Sequence, residues 1–271
     1  MIEEPTRITT LPSGLRVVSE VLPRLETATV GVWADVGSRH EPAALNGVAH
    51  LLEHMAFKGT TTRSARAIAE AIENVGGSLN AWTSREHTAY YARVLADDVP
   101  LAVELVADIL QHSTFADEEL DKERHVVLQE IGQVNDTPDD LVFDQFQERA
   151  FPDQPIGRSI LGPESVVAGL SREALLSYLA THYGPERLIL AAAGKVDHER
   201  LCALAERLFG DLPPAKPTPP EPARYVGGVR LERRRDLEQV HLCLGWEGLP
   251  WDDPDHWALQ VLSTALGGRS E

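Results

Sequence analysis

The chain has 271 residues, 43% hydrophobic and 25% charged, an ordinary balance for a globular protein with room for one large domain or two modest ones. A formal net charge of −17 argues against a phosphate-tracking protein, which needs a basic face, so no nucleic-acid partner is expected. No apolar run approaches the about 18 residues of a membrane span, and the opening MIEEPTRITTLPSG lacks a basic-then-apolar leader, so no membrane partner is expected and the expected compartment is the cytoplasm.

In chain order, GLRVVSEVL (14–22) and ATVGVWADVGS (28–38) are rich in β-branched residues and predict two strands joined at Pro23–Glu26. A helix is predicted from Asn46 to Phe57, with Asn46 as its N-cap and Gly59 just past its end. A second runs through TRSARAIAEAIENVGG, capped by Ser64 and closed by Gly76 and Gly77. SLNAWTS and TAYYARVL predict two strands around the polar loop Arg85, Glu86, His87.

Long amphipathic helices follow. Asp98–Gln111 aligns Leu101, Leu105, Ile109 and Leu110, Asp117–Val134 aligns Leu120, Val127 and Ile131, and DDLVFDQFQERAF makes a third. A looser stretch with Pro152, Pro155, Gly157 and Pro163 leads to a helix over 172–182, a strand RLILAAAG (187–194) and a helix over 197–209. The fold class expected is α+β, a mostly antiparallel sheet flanked by helices on one side. Cys202 and Cys243 are expected to be buried, reduced thiols.

DLPPAKPTPPEPAR (211–224) carries six prolines and reads as a semi-rigid linker after a first domain spanning 1–210. From 225 the pattern restarts as strand, strand, turn, helix and Gly. A shift of 209 positions lays His241–Gly268 over Val32–Gly59, as if a second, homologous domain were beginning. Residues 225–271 are too few to bury a core of their own, so the chain is expected to be the front part of a longer polypeptide.

The chemistry concentrates in GVAHLLEHMAFKGT (47–60). On a helix His50 and His54 lie one turn apart on one face and can present two imidazoles to one ion, with Glu53 beside them. His-x-x-Glu-His is the inverted form of the zincin arrangement. A zinc hydrolase needs three protein ligands, an open position and a carboxylate to take a proton from water, so two ligands and the base stand within one turn and a third ligand must come from elsewhere. In the repeat register the trio falls on Leu259, Leu262 and Ser263.

HLLEHMAFKGT, GGSLNAWTSREHTAYYARVL and DKERHVVLQEIGQ, in that order, resemble the pitrilysin-type metallopeptidases, in particular the processing-peptidase branch that includes mitochondrial β-subunits and bacterial relatives. The resemblance implies one Zn²⁺ per chain and a third ligand roughly 75 residues after the second histidine, where Glu130 stands. It also implies that Glu123, two turns up the same helix, orients a ligating histidine through a hydrogen bond. Asn80 and Ala81 match the family's Asn-Ala, on a strand to which a peptide substrate adds as an extra strand. Trp33, Trp82, Tyr90 and Tyr91 are expected in core or subsites, and His87 and His125 in surface or structural places.

The resemblance further implies a second domain supplying an arginine and a tyrosine near the scissile bond, from beyond Glu271, and a homodimer or a heterodimer with a homologous subunit. The expected function is a zinc endopeptidase of short or unfolded peptides with Glu53 as general base. A non-catalytic partner or scaffold subunit of the same family, or a zinc hydrolase of a non-peptide substrate, stays open beside it.

Overall fold

A computed structural model of the protein describes residues 6–215, 219–234 and 237–267. Six stretches rich in β-branched and small apolar residues become strands: β1 Thr6–Thr10, β2 Arg16–Val21, β3 Thr27–Ala34, β4 Ser78–Thr83, β5 Thr88–Leu95 and β6 Leu188–Gly194. They form one sheet in the order β1-β2-β6-β3-β5-β4. Among the described residues only β2 and β6 pair in parallel; the other four pairings are antiparallel. The late strand β6 thus separates β2 from β3, its neighbour in sequence. The strand β1 is additional to the sequence reading; its alternation is short and its exposed Ile8 gives little apolar signal.

Alternation along the strands gives the sheet two unlike faces. Val17, Val30, Val32, Tyr90 and Leu190 are buried on one face, beneath helices. On the other, Trp33, Tyr91 and Ile189 are half-buried and Trp82 is exposed.

The helices are α1 Val48–Ala56, α2 Ala65–Glu73, α3 Val99–His112, α4 Asp117–Asp136, α5 Pro138–Ala150, α6 Glu164–Val167, α7 Arg172–His182, α8 His198–Phe209 and α9 His256–Ala265. Of these α1 packs on β4, α3 on β3 and β5, and α8 on β2, while α4 packs across α1. Ser64, Ser171 and Asp197 cap α2, α7 and α8 by accepting from the backbone N–H three residues on.

Asn46 is not the cap of α1. The helix begins one residue later, from Gly47 in the left-handed conformation, and the Asn46 amide instead donates to Glu41 Oε2 at 2.8 Å and to the Ser159 carbonyl at 3.1 Å. The two thiols are free but half-buried, not buried. Cys202 lies beside His198 near the sheet's outer strands, and Cys243 lies in a segment whose apolar side chains face solvent.

Residues 219–234 and 237–250 hold none of the strands expected there. Val229, Val240, Leu242, Leu244 and Trp246 are exposed, and a strand without a partner edge leaves its backbone groups unpaired. The helix α9, by contrast, falls where α1 shifted by 209 positions would lie. Lys216–Thr218 of the expected linker and Gly268–Glu271 of the expected repeat lie outside the described residues.

Gly47 fixes how closely α1 approaches the loop before α6. Its φ is +102°, and a Cβ there would stand 2.6 Å from the Leu161 carbonyl oxygen and 2.9 Å from Val167 Cγ2. Gly47→Ala is expected to cost about 2 kcal/mol or more of unfolding free energy, read as a lowered midpoint in urea denaturation. An unchanged midpoint would show that α1 enters the fold differently.

Candidate metal centre

Helix α1 is apolar nearly all round: Val48, Ala49, Leu51, Leu52, Met55 and Ala56 are buried. His50, Glu53 and His54 occupy the remaining stripe, half-buried where α1 meets α4 and β4. At 3.6 residues per turn, His54 and Glu53 project roughly 40° and 60° to either side of His50, so the two imidazoles share a face and the carboxylate flanks it. Their rings stand edge to face with centroids 4.7 Å apart.

Helix α4 brings the third group. Leu120, Glu123, Val127 and Ile131 form its buried stripe, and Glu130 sits at the rim of that stripe. Glu130 Oε2 is 3.7 Å from His50 Nε2 and 3.6 Å from His54 Nε2. Among the described residues, His50, His54 and Glu130 are the one group of three potential ligands whose donor atoms all lie within 4.8 Å of one another.

This donor set fits zinc. Bonds of about 2.0–2.2 Å in a tetrahedral site put neighbouring donor atoms roughly 3.3–3.6 Å apart, close to the two distances from Glu130 to the imidazoles. Burial, helped by neighbouring His54, lowers the His50 pKa to about 4, so its ring is neutral near pH 7 and keeps a lone pair for a cation. The Nδ1 of His54 lies 3.1 Å from Glu123 Oε2; with that nitrogen donating, Nε2 is left as the acceptor that faces Glu130.

Glu123 is only 6% exposed and needs partners for both oxygens. His54 takes one, and Lys58 Nζ lies 2.6 Å from the other. Lys58 stands two residues past the end of α1, so the chain turning out of the helix, not helical spacing, brings its Nζ to Glu123.

Glu53 is held above the ordinary carboxylate range, chiefly by burial, with Thr83 and His54 pulling the other way. Near it, Tyr90 and Tyr183 are buried with hydroxyls 3.4 Å apart, and burial pushes Tyr183 up to about 12, so both stay neutral. The sequence predicts Tyr90 in core or subsite, whereas Thr83 and Tyr183 have no sequence signal of their own. They are ordinary strand and helix-end residues until the fold places them.

The strand β4 is the outermost strand of the sheet beside α1. Asn80 and Ala81 point to opposite faces, Asn80 exposed and Ala81 buried. The Asn80 side-chain oxygen accepts from the Ala81 N–H at 2.9 Å. His87 and His125 are exposed. A separate groove of about 1020 Å³, lined in part by Asn46, Asp144, Arg158 and Arg230, contains none of the candidate ligands. No helix among the described residues is long and apolar enough to cross a membrane.

The chain matches the family described as Insulinase (Peptidase family M16) over residues 16–164 and the Peptidase M16 inactive domain over 169–271. A protein of Mycobacterium tuberculosis named an uncharacterized zinc protease is 47% identical over 269 residues, covering 97% of this chain and 61% of the relative. The probable mitochondrial-processing peptidase subunit beta of Arabidopsis thaliana is 45% identical over 267 residues, covering 97% of this chain and 50% of the relative. The chain thus spans between half and two thirds of these relatives' lengths.

In fold, it is similar to the crystal structure of a protease from Helicobacter pylori, with a TM-score of 0.75 and 24% identity over 82% of this chain and 54% of that one. It is also similar to a peptidase M16 inactive domain from Pseudomonas fluorescens, with a TM-score of 0.81 and 19% identity over 98% of this chain and 65% of that one.

Removing the carboxylate behind His54 tests the arrangement. Glu123→Gln is expected to weaken zinc binding about 10- to 100-fold in competition with a chelating indicator, because Lys58 loses its counter-charge and His54 its orienting acceptor. Affinity equal to wild type would remove Glu123 from the site.

Proposed function

The chain belongs to the Insulinase (Peptidase family M16) family, and on that premise we propose that it carries the metal-bearing part of a zinc endopeptidase acting on short or unfolded peptides. The observation that carries this reading is the convergence of His50, His54 and Glu130 with Glu53 left free beside them. The three would hold one Zn²⁺, which when bound supplies Lewis acidity that polarises a carbonyl and acidifies water.

The rest of the chemistry falls to the chain. Glu53 accepts a proton from the attacking water at a carboxylate oxygen and delivers it to the nitrogen of the leaving amine. Its burial raises its basicity toward that task. Glu123 and Lys58 keep His54 oriented. The outer edge of β4 receives the peptide as an added strand, so main-chain hydrogen bonds give affinity with little sequence preference. The Asn80 oxygen occupies the place at the Ala81 N–H that a substrate carbonyl would take on arrival.

We further propose that residues 1–210 form the zinc-bearing unit and that 225–271 begin a second homologous domain after the linker 211–224. The position of α9 and the exposed apolar residues between 229 and 246 support this. A homologous partner subunit, in a homodimer or heterodimer, fits a family in which a relative bears the name subunit beta. A cytoplasmic location belongs to the same reading. The intact donor set favours a catalytic chain over a non-catalytic scaffold subunit.

Glu53→Gln is expected to retain one zinc per chain by metal analysis while peptide cleavage by the full-length protein falls by about 10²–10⁴-fold. Cleavage at the wild-type rate would exclude Glu53 as the base.

A further inference from the structure

We propose that Glu41 is a positioning residue for the metal centre: its carboxylate clamps the first turn of α1 and so sets where His50 points. This rests on the metallopeptidase reading above. Glu41 lies seven residues before α1 and is 2% exposed. One oxygen, Oε2, accepts from Asn46 Nδ2 at 2.8 Å and from Gly47 N at 2.9 Å; the other, Oε1, accepts from Ala49 N at 2.7 Å. Its own carbonyl accepts from Arg158 Nη2 at 2.6 Å, tying the clamp to the loop after α5.

Capping alone does not call for such an arrangement. α2, α7 and α8 are capped by the adjacent side chains of Ser64, Ser171 and Asp197. At α1 a remote, buried carboxylate does the work, and burial pushes it up to about 7 against the pull of its three donors and of Arg158. What the clamp adds is a grip at two points, Gly47 N and Ala49 N, which fixes both the rotation and the height of the first turn.

The two histidines differ in how they are held. His54 is oriented by Glu123, whereas His50 Nδ1 is buried with no hydrogen-bond partner among the described residues. No polar contact at Nδ1 fixes the His50 ring, so its direction follows its backbone. His50 is the residue after Ala49, whose N–H the clamp holds. The structure therefore divides the task, with a side chain steering His54 and a backbone clamp steering His50.

The test uses the full-length chain and zinc alone, with affinity read by competition with a chelating indicator. Glu41→Gln keeps the volume but turns one oxygen into a donor facing donors, and is expected to weaken zinc binding about tenfold or more. In the cobalt(II)-loaded protein its visible absorption is expected to change. Asp108→Asn is the control, because Asp108 is a similarly buried carboxylate that anchors Thr60, Thr62 and Arg63 just beyond the same helix. It is expected to lower thermal stability and leave zinc affinity within twofold of wild type.

If Glu41→Gln does not fold, Asn46→Ala, which removes one of the three donors, is expected to weaken zinc binding in the same direction by a smaller factor. The proposal is overturned if Glu41→Gln, or Asn46→Ala in its place, binds zinc within twofold of wild type, or if Asp108→Asn loosens zinc as much. A wild-type chain that binds no zinc overturns the metallopeptidase reading as well. A wild-type chain that binds zinc beside an unaffected clamp variant overturns this inference alone.

Discussion

The site depends on the packing of α1 against α4. A nine-residue helix that buries six apolar side chains has one narrow polar stripe left, and α4 lies across it. That contact brings a carboxylate 76 positions further along the chain to within 3.7 Å of two imidazoles. Both helices put apolar side chains into the same core, Leu120, Val127 and Ile131 from α4 and six residues from α1. The polar groups ride on a contact whose stability comes from elsewhere, so their protonation and geometry are free to serve chemistry.

Partial burial then divides the titratable groups. It lowers the His50 pKa and raises that of Glu53, leaving a neutral ring and a strengthened base three residues apart on one helix. Glu123 is more deeply buried than either, with Lys58 Nζ against one oxygen and a histidine against the other. Opposite demands on neighbouring side chains are met by one environment because acids and bases respond to desolvation in opposite directions.

The sequence makes the local part of this legible and the remote part only by resemblance. His50, Glu53 and His54 declare themselves because their relation is set by helical geometry over five residues. Glu130 does not, since a chain with 42 acidic residues offers many carboxylates at many spacings, and only the likeness of DKERHVVLQEIGQ to a known family singled it out. Glu41 is invisible for a related reason: its partners are backbone N–H groups, which leave no mark in a sequence. Asn46 had the composition of an N-cap but was drawn into that network, and Gly47 took the helix start through a left-handed turn. The strands expected after residue 225 failed for want of an edge to pair with, which is a property of neighbours and not of the segment.

The parallel pairing of β6 between β2 and β3 has a consequence for how the molecule assembles. Both candidate ligand helices are complete by Asp136, yet the middle of the sheet is missing until Leu188–Gly194 arrives. Loops of more than 150 residues must close before β2 and β3 share a sheet, as in the pairing of Thr29 with Ala193. Such long-range closure is slow relative to helix formation. On a growing chain, the pieces of the metal centre would therefore wait half-built, and the final shape of the cradle would be set by a strand that contributes no ligand to it.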